Sequence, residues 1–236
     1  MLLGKMIAAC SSLLFLIGGC DLLSDATKFT VDTDWQVFSV DSAALGLSVP
    51  SGSALPAIPC STANDLCAQA TSPMKCGGQS YACRVQCGSK ATCEVVASTE
   101  QSTSIDLSQQ IKNNTQASAL NKVALQRMVF NTEENTLNFD TPSMEFYVGP
   151  NAATKTTDAG VVFFGTMPSI PHGTKLNGEI TVTAAGKSAL ADRVKNYQTP
   201  FRLLAKAALS FASGSPLPQG RAVVKLKAYF EIEPLK

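Results

Sequence analysis

The sequence predicts a mainly β protein: an antiparallel β-sandwich with one short helix and a disulfide-rich insertion. Three observations predict it. Apolar residues recur at every second position in several separate segments, the period of a strand with one buried face. Clusters of Gly, Pro, Asn and Asp punctuate those segments. Six of the eight Cys crowd between positions 60 and 93. The composition is compatible with a packed body, at 45% hydrophobic, 16% charged and a formal net charge of +1. A chain so balanced is not a disordered one, and it lacks the basic excess that drives nucleic-acid binding.

Residues 27–40 place Phe29, Val31, Trp35 and Val37 at odd positions, with Thr30, Asp32, Asp34 and Gln36 between them. One half-buried strand is expected, with Trp35 in the core. Asp32 and Asp34 form no EF-hand loop and read as a solvated strand face. Residues 41–59 are rich in Ala, Gly, Ser and Pro and read as a connection. The sheet resumes at residues 94–97, and the polar stretch 105–116 has room for a helical turn. From Asn121, Val123, Leu125 and Val129 alternate with Lys122, Gln126 and Met128. Residues 131–135 read as a turn, after which Leu137 and Phe139 restart the pattern. Met144, Phe146 and Val148 continue it beyond Pro142, and Gly149-Pro150 stops it. Residues 151–158 read as a loop, 161–164 as a short buried strand, 168–173 as a turn and 176–183 as a further strand.

Residues 187–197 carry Leu190, Val194 and Tyr197 at i, i+4 and i+7. That spacing predicts a short helix, which needs the sheet beneath it to persist. Residues 201–211 alternate Phe201, Leu203, Ala205, Ala207, Leu209 and Phe211, and strand is favoured over helix there. Residues 221–232 alternate Ala222, Val224, Leu226, Ala228, Phe230 and Ile232 with Arg221, Lys225, Lys227, Tyr229 and Glu231. Together these two segments predict a hairpin with Leu209 facing Val224, Leu203 facing Phe230 and Arg202 facing Glu231. In that hairpin Arg202, Lys206, Arg221, Lys225 and Lys227 share one solvent face. Such a stripe is a candidate contact for anionic headgroups or a partner, although lysine on a sheet face also serves simply to block aggregation.

Cys60, Cys67, Cys76, Cys83, Cys87 and Cys93 are an even set among small polar residues. In an exported chain that pattern predicts three disulfides of open pairing, closing the insertion 60–93. Zinc fits poorly. The closest pair is Cys83 and Cys87, no C-x-x-C occurs, and the single His, His172, lies far away in a turn. No metal and no cofactor are expected.

The start places Lys5 before an uncharged, mostly apolar run that ends Leu16-Ile17-Gly18-Gly19-Cys20. The run is too short to span a membrane as a helix and has the layout of a secretory signal. Its end resembles the lipobox of bacterial lipoproteins. An earlier Ile7-Ala8-Ala9-Cys10 leaves almost no apolar run before it and does not compete. The resemblance implies cleavage before Cys20 and attachment of fatty acyl chains to that residue, a stable anchor where one chain is marginal. It makes residues 1–19 a signal peptide, 20–26 a lipidated tether and 27–236 the sandwich domain. Enterobacterial sorting reads Asp21 as retention in the inner membrane. Other lineages sort differently, so either membrane fits.

Catalytic chemistry is sparse. One His and no G-x-S-x-G elbow leave no serine-hydrolase triad to assemble, and no phosphate loop or dinucleotide fingerprint occurs. The C-terminal part is similar in general architecture to immunoglobulin-like bacterial envelope domains, a resemblance that implies a sandwich and no activity. The expectation is a non-enzymatic, lipid-anchored envelope protein on the exported side, at the periplasm or cell surface. Its role would be binding, adhesive or structural, with the membrane and an envelope protein as partners. A carrier of lipid or another apolar ligand is the alternative, and an exported hydrolase ranks below it.

Overall fold

The computed structural model describes residues 28–46, 54–55, 59–60, 81–115 and 119–235. The signal segment, Cys20, Asp21, Cys67 and Cys76 lie outside the described residues. In chain order the strands are β1 (Phe29–Asp32), β2 (Gln36–Asp41), β3 (Ala82–Cys87), β4 (Cys93–Ile105), β5 (Leu120–Asn135), β6 (Met144–Pro150), β7 (Val162–Met167), β8 (Asn177–Glu179), β9 (Thr181–Val182), β10 (Phe201–Ala212) and β11 (Arg221–Pro234). Helix α1 (Ser108–Asn114) follows β4, and α2 (Ala184–Lys195) follows β9.

Two antiparallel sheets form a sandwich. The first runs β1-β11-β5-β8, with β2 beside β1 on the same flank of β11. The second runs β3-β4-β10-β6-β7-β9. Each sheet contributes an unbroken inward row. In β10 the odd residues from Phe201 to Phe211 are 0 to 7% exposed, and in β11 the even residues from Ala222 to Ile232 are 0 to 3% exposed. Phenylalanines join the layers. Phe38 of β2 meets Phe146 of β6 edge to face at 5.7 Å between ring centroids, and Phe146 lies 6.3 Å from Phe164 of β7. Such pairs add to the burial term.

Helix α2 starts where the Thr183 hydroxyl accepts from the Gly186 N–H at 3.0 Å, an N-cap. It buries Leu190 and Val194, and Tyr197 is buried just beyond its end. Gly186 sits on the backbone of β7: a methyl group there would lie 2.5 Å from the Phe164 Cα. The polar stretch after β4 does form a second helix, α1, anchored by Ile111.

The alternation in β10 and β11 identifies the inward residues, but the two strands do not form a hairpin. β10 pairs with β4 and β6, and β11 with β1, β2 and β5. The connection is an arch that crosses the sandwich. Ser213 N–H donates to the Cys93 carbonyl at 3.1 Å, Gly214 N–H to Leu55 at 2.8 Å, and Ser42 N–H to Gly220 at 3.1 Å. Gly220 takes φ 92° against the Thr136 carbonyl, a position closed to other residues. Two apolar rows are buried equally well side by side or face to face, and the arch selects the second. Leu203 and Phe230 therefore join one buried cluster from opposite sheets, and Arg202 has no Glu231 opposite it.

Residues 27–40 are two strands, not one. Three residues, 33–35, span the two positions 227 and 228 of β11. The Thr33 hydroxyl accepts from the Ala228 N–H at 3.0 Å and holds the bulge. One extra residue flips the faces. Phe38 and Val40 turn inward at 1 and 2% exposure, while Val37 and Trp35 turn outward at 52 and 40%. Trp35 is thus not a core residue.

Irregular register likewise puts Met128 and Phe130 in the core of β5 instead of Val129. Residues 131–135 do not turn: they continue β5, paired with β11. Leu137 and Phe139 follow in a loop, where Phe139 packs on Phe211 at 5.2 Å. The segment 176–183 divides between the sheets at buried Ile180. Within the interval 60–93, residues 82–87 form a ladder with β4, so this part belongs to the sheet.

The flank of β2 turned away from β11 is bound by side chains of the other sheet. Gln101 of β4 accepts from the Ser39 N–H at 3.1 Å and donates to the Ser39 carbonyl, and Thr103 donates to the Gln36 side chain at 2.7 Å. An amide side chain here substitutes for a neighbouring strand and stitches the sheets together.

Phe230→Ala should cost about 3–5 kcal/mol as a core truncation, and Gly186→Ala about 1–3 kcal/mol by overpacking α2 on β7. Val37→Ala, on the outer face, should stay within about 0.5 kcal/mol. Urea denaturation of the three variants checks the ranking.

Candidate functional site

Among the described residues the rows between the sheets are apolar and buried, and the polar and charged groups lie on the outer faces and at the cysteine-rich end. At that end Cys60 and Cys87 are disulfide-bonded, with Cα atoms 5.8 Å apart across a sequence separation of 27. Cys83 and Cys93 each take part in a disulfide as well. The Cys60 N–H donates to the Ala91 carbonyl at 2.9 Å, beside an isolated bridge between Pro59 and Thr92. The bridge therefore fastens the incoming chain onto the β3–β4 turn. Beneath it lies a second apolar cluster that includes Leu45, Leu55, Tyr81, Val95, Leu209 and Phe211. Burial and the neighbouring Asp41 charge outweigh a hydrogen bond from the Asp41 backbone and hold the Tyr81 phenol above its usual range. The cysteines thus cap one end of the sandwich.

The predicted basic stripe does not exist as a single face. Arg202 and Lys206 lie on the second sheet, and Arg221, Lys225 and Lys227 on the first. The arch between β10 and β11 causes the division. Four of the five cations stand beside acceptors. Arg202 donates to the Asn151 carbonyl at 3.0 Å and to the Ser102 hydroxyl at 3.1 Å. Lys206 stands in register between Glu100 of β4 and Glu145 of β6. Lys225 pairs with Glu133, and Lys227 with Asp32 at 2.9 Å. The hydrogen bond to Asp32 raises the Lys227 pKa. On the second sheet, burial and the bond to Glu145 push the Tyr147 phenol up to about 12.

The outer face of the first sheet carries an aromatic–cation cluster that the periodicity did not reveal. The Arg127 guanidinium lies 4.7 Å over the Tyr229 ring. The Lys227 ammonium lies 5.7 Å from the Trp35 ring centroid and 5.8 Å from that of Tyr229. Such contacts hold the rings and cations in place. The signal for this face was the Asp32-Thr33-Asp34 break, which interrupts a run that otherwise reads as one strand.

His172 is exposed. Its Nδ1 lies 2.9 Å from Asp140 Oδ1, which also accepts from the His172 backbone N–H. These bonds hold the Asp140 carboxyl below its ordinary pKa. The pair pins a turn. Among the described residues no group of three His, Cys, Asp or Glu is placed to hold a metal ion.

No known family model matches the chain, and no curated protein sequence does. A solved structure titled Desmodium yellow mottle tymovirus is similar at 12% identity with a TM-score of 0.23, covering 100% of this chain and 98% of that one. A likeness of that size carries no inference.

Alkylation without reductant, followed by mass spectrometry, should leave Cys60, Cys83, Cys87 and Cys93 unmodified. Any of the four found alkylated in most molecules contradicts the bridged end. Reduction should cost about 2–4 kcal/mol for the Cys60–Cys87 loop and loosen the capped end before the β10–β11 core.

Proposed function

We propose that this protein is a lipid-anchored, non-catalytic binding or scaffolding module of the bacterial cell envelope, displayed on the exported side. The observation that carries the reading is the burial of aromatic rings between the two sheets among the described residues. Phe38, Phe146, Phe164 and Phe230 are each 1% exposed or less between the sheets. A carrier needs a concave apolar cavity for its ligand, and here rings occupy the space between these rows. Recognition then falls to the outer faces and the cysteine-capped end.

Disulfide bonding supports an oxidising compartment. Among the described residues no helix is long and apolar enough to cross a membrane, a statement that does not bear on β-barrels. The lipobox-like Leu16-Ile17-Gly18-Gly19-Cys20 supplies the anchor in this reading. An envelope protein is the proposed partner beyond the membrane.

The test begins at Cys20. The wild-type chain, expressed in bacteria with a clickable fatty acid, should take the label and fractionate with membranes. Cys20→Ser should take none, because only a thiol accepts the diacylglyceryl group. An unlabelled wild-type protein, or a labelled Ser variant, refutes the anchor. Crosslinking in intact envelopes should then recover a partner with the anchored form and not with Cys20→Ser.

A further inference from the structure

We infer that the outer face of the first sheet, around Trp35 and Tyr229, rests on the zwitterionic headgroup layer of the membrane that holds the anchor. The inference depends on the lipid anchor proposed above and adds the orientation of the domain on it.

Chain length gives the first argument. Seven residues, 21–27, lie between Cys20 and Lys28, and the eight extended chain steps span at most about 28 Å. The strand path from Lys28 to Trp35 covers about 23 Å. The tether therefore keeps the start of β1 close to the bilayer and permits the whole length of this face to lie along it.

Chemistry gives the second. Trp35 is 40% exposed and lies beside Lys227, which also approaches Tyr229, and Val37, 52% exposed, stands in register with Lys225. Trp and Tyr with flanking Lys and Arg suit the membrane–water boundary, where an amphipathic ring meets both apolar chains and water. The bulge at residues 33–35 spends Thr33 and one register position to turn Trp35 outward.

Charge gives the third and selects the headgroup. Lys227 is paired with Asp32, Lys225 with Glu133, and Lys28 with Glu231 at 3.9 Å. Arg127 lies on a ring. With these three lysines paired, the face offers both signs of charge to headgroups that carry both. Contact should therefore resist added salt, unlike adsorption through a polybasic patch. The second sheet and the cysteine-capped end then face away from the bilayer, towards a partner.

Trp35 is the only Trp in the chain, so its emission reports this face alone. The full lipidated protein would be reconstituted into phosphatidylcholine vesicles with or without brominated acyl chains. Brominated chains should quench Trp35 roughly twofold, the contact expected of a ring at the interface. Iodide should reach Trp35 poorly, and salt should change neither result. Val37→Asp places a charge on an exposed position without touching the core, and should restore iodide access while the protein still floats with vesicles. Free access of iodide to wild-type Trp35 on floating vesicles overturns the orientation and leaves the anchor standing. Shielding from iodide without quenching by brominated chains also overturns it, because protein then covers the face. Failure to float refutes the anchor itself, and the orientation with it.

Discussion

Burial of the β10 and β11 rows in shared apolar clusters is the constraint on which the rest of the sandwich depends. Both strands are central in their sheets, and only eight residues join them, 213 to 220. Each therefore needs partners on both flanks, and the remaining strands supply them. β4 and β6 clasp β10, while β5 and the β1–β2 pair clasp β11. The burial of Leu203, Leu226, Phe230 and Ile232 at 0% exposure is the return on the entropy cost of closing long-range pairings such as Phe29 with Ile232.

The edges follow from that centre. A sandwich leaves strand flanks unpaired, and unpaired flanks invite aggregation. In this protein the flank of β2 is occupied by Gln101 and Thr103 from the opposite layer, and helix α2 packs on β5 and β7. The bridged Cys60 and Cys87 fasten the chain entering β3 to the turn leaving it. Each device closes an opening that the two long strands cannot reach.

Alternation made the inward parity of β6, β10 and β11 legible in the sequence, because a buried face demands it whatever the partner strand. Pairing was not legible. An inward row carries the same pattern beside its neighbour or opposite it, and the difference lay in where the backbone of residues 213–215 found its hydrogen bonds. Register irregularities were hidden for a related reason. A single extra residue in 33–35 or near Gln126 leaves composition unchanged and reverses every side chain beyond it. The short helix was legible from Leu190 and Val194, while its seat was decided by the missing side chain of Gly186. As for the site, the cysteines were visible by their number. The aromatic–cation cluster was not, because Trp35 of the β1–β2 connection, Arg127 of β5 and Tyr229 of β11 are brought together only by the fold.

The bulge before β2 makes the character of an entire face a matter of counting. With one residue fewer between Asp32 and Gln36, β2 would meet β11 in the opposite phase. Phe38 and Val40 would then point to solvent, and Val37 and Ser39 would point to the core. Substitution changes one position of such a surface at a time. A length change of one residue exchanges the surface for its reverse in a single step, so this short connection is where the binding face and the core are most tightly bound to each other.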